Sequence, residues 1–162
     1  MMREQQTVER TETKLVGYRV VVSLNQDLEE GIVVQLREKL SANRPVIPNQ
    51  TNEGMYLVQI YPDGQWTPDI PFTSIVAVEV NEYDQEIEQF AKYTIPAGTF
   101  VEVTHLGPEA DIGDTYDWIS EQELSSSRCF DFEYWAPKAA FDQEDSTIHI
   151  YLPLESSESK PA

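Results

Sequence analysis

The sequence predicts an α+β fold built from two copies of a β-α-β-β unit. Three observations carry that expectation. Runs rich in β-branched residues recur in the same order in each half of the chain. Each half holds one helical stripe after its first run. The stretch "FDFEYWAP", Phe130 to Pro137, alternates strictly in character, as a strand with two different faces must. A duplicated unit of this kind gives two similar lobes related by an approximate twofold axis. It implies an antiparallel sheet with helices on one face and a ligand cleft between the halves.

The elements of the first half follow in order. "LVGYRVVVSL", Leu15 to Leu24, is strand-like by its β-branched residues. Asn25 or Asp27 then caps a helix in which Leu28, Ile32, Leu36 and Leu40 recur every four residues. The prolines of "NRPVIP" end it. "GMYLVQIY", Gly54 to Tyr61, is a second strand closed by "PDG", and "FTSIVAVEV", Phe72 to Val80, is a third.

The second half repeats the order. "TFVEVTHL", Thr99 to Leu106, follows the turn "PAG". A weaker helix then presents Ile112, Tyr116 and Ile119 on one side, and "CFDFEYWA" and "STIHIYLPL" complete the set. Residues 1–13 are polar and read as a flexible lead-in, and 155–162 as a frayed tail. One domain, 14–154, is expected between them, with repeats at about 14–81 and 90–154.

Alternation sorts the strand residues into faces. Phe130, Phe132 and Tyr134 make an apolar face, whereas Asp131, Glu133 and Trp135 share the other. Aligning "LVQIYPD" with "DFEYWAP" sets Gln59 against Glu133 and Tyr61 against Trp135, so each half offers one polar group and one aromatic to a shared cleft. Ser146, Ile148, Ile150 and Leu152 give the last strand a core face, leaving Thr147, His149 and Tyr151 on the open side. Asp131, two residues before Glu133, reads as a solvated acid. Tyr18, Tyr56, Trp66 and Trp118 read as core or rim.

Composition narrows the chemistry. The chain of 162 residues is 40% hydrophobic, enough to bury a core. Its net charge of −18, with only eleven Lys and Arg, opposes contact with phosphate backbones, so direct nucleic-acid binding is not expected. The single cysteine, Cys129, excludes an internal disulfide and suits a reducing cytoplasm. No apolar run approaches the roughly 20 residues of a membrane-spanning helix, and no secretory signal pattern opens the chain. His105, His149 and Cys129 do not have metal-ligand spacing. No metal or cofactor is expected.

The segments "YTIPAGTFVEVTHLGP" and "FEYWAPKAAFDQEDSTIHIYLPL" resemble the effector-binding domain of AraC-type regulators, the gyrase-inhibitor-like (GyrI-like) small-molecule-binding family. The resemblance runs from about Leu15 to Leu154 and is strongest in the second half. Its marks are Glu133 and Trp135 as Glu–x–aromatic, an ungapped thirteen-residue step to Ser146, and the closing "IYLP". It implies a buried glutamate that reads cationic aromatic compounds, a role that falls to Glu133. Two departures stand out. "WISEQELSSSRC" is shorter than the family's corresponding segment, and thirteen polar residues are too few for the helix-turn-helix of DNA-binding relatives.

The resemblance therefore implies a stand-alone binder of amphipathic, cationic aromatic molecules that senses or sequesters them without touching DNA. Glu133 is the expected anchor, with Trp135, Tyr61 and Tyr151 as aromatic walls and Gln59 as a polar orienter. Burial alone disfavours an ionised glutamate, and a cationic ligand reverses that penalty. Cation–π attraction adds roughly 0.5–2 kcal/mol per aromatic wall. Two alternatives accompany this reading: hydrolysis of reactive cyclic electrophiles by Glu133, and a protein partner such as a regulator or DNA gyrase.

Overall fold

The computed structural model describes residues 3–62, 64, 67–83, 90–122, 129–136 and 147–154. In chain order the elements are β1 (Arg3–Arg10), β2 (Thr13–Val22), α1 (Leu24–Glu30), α2 (Ile32–Asn43), β3 (Met55–Ile60), β4 (Phe72–Val80), β5 (Ala91–Ile95), β6 (Gly98–Leu106), α3 (Ile112–Glu121), β7 (Phe130–Trp135) and β8 (Thr147–Pro153). The strands form one antiparallel sheet in the order β1-β6-β8-β7-β3-β4-β2-β5. Exchanging the first four strands with the last four in chain order reproduces the same order reversed. That palindrome is the pseudo-twofold of a duplicated unit. The axis runs through the central β3–β7 pair, in which Leu57 faces Glu133 and Gln59 faces Asp131.

Each repeat carries one strand more than the sequence suggests. Arg3–Arg10, read as a loose lead-in, pairs along its whole length with β6 of the other half. Ala91–Ile95 pairs in turn with β2. The leading strands are thus exchanged between halves. Residues Gln5 to Arg10 have little apolar content because β1 is a sheet edge with most side chains in water, where polar residues also discourage pairing with other chains. The tail reading of 155–162 and the marker Ser146 lie outside the described residues.

The exchange also bends the sheet. β1 and β2 stand six places apart, which in a flat sheet is about 29 Å at about 4.8 Å per strand. Only Thr11 and Glu12 separate them, so the chain spans at most about 11 Å from Arg10 to Thr13. Pro96 and Ala97 impose the same limit between β5 and β6. The sheet must therefore roll until its two edges approach. Leu15, Tyr56, Val58, Ile75, Ile95, Phe100, Phe130 and Phe132 fill the inside of the roll and are buried, and no residue of a described helix belongs to this cluster. Gly17 is required there: a Cβ would lie 2.0 Å from the Val76 carbonyl oxygen of β4.

The helices cover the outer face. Leu40 of α2 and Ile119 of α3 pack on Val16, Leu57, Val76, Val78, Val103, Ile148 and Ile150. The single helix expected from Leu28 to Leu40 is broken at Gly31, whose φ of 63° is left-handed. Ser23 caps α1 through Gln26 N–H, while Asp27 Oδ1 accepts from Val33 N–H at 2.7 Å and so caps α2. Leu28 lies before the break and is 72% exposed, off the core stripe. Among the described residues no helix is long and apolar enough to cross a membrane.

Candidate ligand-binding site

β7 lies beside the twofold axis and turns Asp131, Glu133 and Trp135 toward the helices. Glu133 is 4% exposed. Its Oε2 accepts from the Tyr116 hydroxyl at 2.6 Å and its Oε1 from the Trp135 indole N–H at 2.9 Å. Burial pushes its carboxyl from 4.5 up to about 7; the two hydrogen bonds oppose that rise, and the nearby Glu109 and Asp131 carboxylates add to it. Neutral pH therefore finds this group near its midpoint. Burial and Glu133 hold the Tyr116 hydroxyl well above the ordinary phenol range, so it remains a donor.

Asp131 is fully buried, contrary to its reading as a solvated acid. The Tyr61 hydroxyl lies 2.7 Å from its Oδ2 and 3.0 Å from Gln59 Oε1. The hydroxyl has one proton for two acceptors. Gln59 and Asp131 are also cross-strand partners on β3 and β7. The structure thus joins Tyr61, Gln59 and Asp131 into one polar group next to Glu133.

A clamp spans the two halves above Trp135. Its ring is 2% exposed, and the Arg37 guanidinium from α2 lies 4.8 Å from the ring centroid. Arg37 also makes a two-pronged bond to Glu109, at 2.8 and 3.1 Å, in the 3-10 turn Glu109–Asp111 ahead of α3. His105 anchors this turn from below. Its Nε2 lies 3.0 Å from the Pro108 carbonyl and its Nδ1 2.6 Å from Thr115 Oγ1. A carbonyl only accepts, so Nε2 carries the proton and Thr115 donates to Nδ1. Thr115 directly precedes Tyr116, so the buried histidine fixes the residue that holds Glu133.

Tyr151 is the site residue that the structure does not bring to this cleft. β7 and β8 pair with Phe132 opposite Tyr151, and cross-strand partners share a face. Tyr151 therefore lies inside the roll, stacked on Phe132 at 4.7 Å and 11°, with its hydroxyl bonded to Glu102 and Arg10 over its ring. Sequence reasoning missed Tyr116, Arg37 and Glu109. A signal existed for Tyr116: a tyrosine in the apolar stripe Ile112–Tyr116–Ile119 must find its hydroxyl a partner under the helix. Nothing comparable marks Arg37 and Glu109, which lie 72 residues apart.

Comparison with known proteins adds the family. The GyrI-like small molecule binding domain matches residues 4–155, nearly the whole chain. The chain belongs to that family. No curated protein matches the chain. Among solved structures, SAV2435 bound to tetraphenylphosphonium is similar to this GyrI-like chain over 96% of both, with 14% identity and a TM-score of 0.74. EcmrR in its complex with DNA matches 95% of this chain and 58% of its own, at 18% identity and a TM-score of 0.63. The integron cassette protein VCH_CASS2 of Vibrio cholerae matches over 93% and 95%, at 17% and 0.61. These likenesses establish the duplicated GyrI-like fold.

Proposed function

We propose that this GyrI-like chain binds a lipophilic aromatic cation between its two repeats, with Glu133 as the charged anchor. The observation that carries the reading is a buried carboxyl with two donors aimed at it and a pKa near 7. Such a group is only partly ionised at neutral pH when the site is empty and ionises fully when a cation arrives, because charge pairing is strong where water is excluded. Trp135 and Tyr61 supply aromatic surface and Gln59 a neutral polar contact. The likeness to a protein whose bound ligand is a lipophilic cation supports the choice of ligand class. In this reading the chain is a sensing or sequestering module.

Titration of tetraphenylphosphonium into the wild type and Glu133→Gln tests it. The expected result is at least a tenfold loss in the variant, about 1.4 kcal/mol, with the fold intact. Equal affinity in both proteins would remove Glu133 from the role. A second reading has one specific support: a carboxyl of pKa about 7 is matched to general-base work at neutral pH. Turnover of a strained cyclic electrophile, abolished in Glu133→Gln, would favour hydrolysis over passive binding.

A further inference from the structure

The aromatic surface best placed to receive a ligand cation is already covered by a cation of the protein. Arg37 lays its guanidinium over the Trp135 ring at 4.8 Å, and Trp135 in turn donates to Glu133. The Arg37 side chain is only 13% exposed, and its two bonds to Glu109 hold it over the ring. Arg37 comes from α2 in the first repeat, whereas Glu109 and Trp135, the groups that hold it, belong to the second. The clamp therefore closes the seam along which the two halves meet.

We propose that Arg37 is a resident competitor that sets the chain's selectivity for cations. The inference rests on the cation-binding reading of the same site. A ligand cation that stacks on Trp135 must displace the guanidinium, and a cation that stops short of it meets a like charge beside Glu133. Either way, weakly lipophilic cations are rejected, and only a ligand with enough apolar surface to offset the displacement enters. A planar guanidinium suits this task better than an ammonium, because it stacks on the ring while its fork stays bonded to Glu109.

The test compares tetraphenylphosphonium affinity at pH 8 and constant ionic strength in five forms of the full chain. They are the wild type, Arg37→Gln, Arg37→Gln with Glu109→Gln, Arg37→Lys, and Glu133→Gln as the anchor control. The double variant removes one charge of each sign, so it separates occupancy of the ring from a change in net charge. Arg37→Gln and the double variant are both expected to bind at least about tenfold more tightly than the wild type. Arg37→Lys should gain severalfold, since it keeps the charge without the planar stack. Binding by the double variant where the wild type shows none would support the proposal most directly. A double variant that returns to wild-type affinity overturns it, as does Arg37→Lys equal to wild type. No binding by any form would overturn the cation-binding reading and this inference with it. Gains in the Arg37 variants with an unaffected Glu133→Gln would overturn only the anchor role.

Discussion

The indole N–H of Trp135 donates to Oε1 of Glu133 at 2.9 Å, although the two are same-face neighbours on one strand. Side chains two apart on a strand point the same way, so the bond needs only rotamers, with no fold in the backbone. Tyr116 completes the hold from α3. The carboxyl is thereby fixed by one donor from its own strand and one from the helix above, and its chemistry follows from that cage.

Stability should depend on pH through Glu133. Its folded pKa, about 7, lies above its ordinary value of 4.5, so the native state keeps a proton that the unfolded chain has released. The stabilisation is full below about pH 4.5 and is lost as the pH rises through about 7, reaching roughly 3 kcal/mol. Glu133→Gln mimics the protonated form and lets Tyr116 accept from the new amide. Urea denaturation at pH 5 and pH 8 should show the variant gaining on the wild type at the higher pH. A constant difference would place the carboxyl in water.

Cation affinity should run the opposite way with pH. A cation pairs with the ionised carboxylate, so binding at pH 6 requires a proton to leave and binding at pH 8 does not. Apparent affinity should rise by up to about tenfold per pH unit below 7 and flatten above it. Calorimetry in buffers of different ionisation heat would reveal proton release at pH 6. Its absence would show that Glu133 is already ionised.

Tyr116→Phe separates packing from charge stabilisation. The Tyr116 hydrogen bond lowers the Glu133 pKa, and its loss moves the carboxyl further above 7. Cation binding at pH 7 should weaken severalfold and recover by pH 9. A variant whose pH profile coincides with that of the wild type would make the tyrosine a packing residue only.

Gly17→Ala probes the roll of the sheet. Its Cβ would meet the Val76 carbonyl oxygen at 2.0 Å and the Ala77 Cα at 2.5 Å, both backbone atoms of the adjacent strand. Neither can move without parting β2 from β4, so a loss of roughly 3 kcal/mol is expected. A denaturation midpoint within error of the wild type would mean the strands have room to separate.

Much of this fold is legible in local pattern because its inner strands are β-branched and its first two helices end at a left-handed glycine and a proline. Val16 and Val76 announce themselves by runs of β-branched residues and Ile150 by alternation. β1 does not, because an edge strand with exposed side chains has no apolar face to display. Glu133 and Trp135 were placed on one face correctly, since alternation within a strand is a local property. Tyr151 was placed wrongly because alternation cannot say which face of the next strand continues the first. That depends on register, and a shift of one residue reverses it. Burial of Asp131 and the Arg37–Glu109 clamp are likewise long-range facts, written in the packing of distant segments.

The pseudo-twofold of the duplicated chain has a consequence for how the charge between its halves is set. Two identical chains meeting on the same axis must place the same side chain on both sides, so their acids come in pairs, and paired acids in a dry site repel. A single chain containing both halves is released from that rule. It can keep Glu133 on β7 and carry Leu57 opposite it on β3, so that pair holds one acid instead of two.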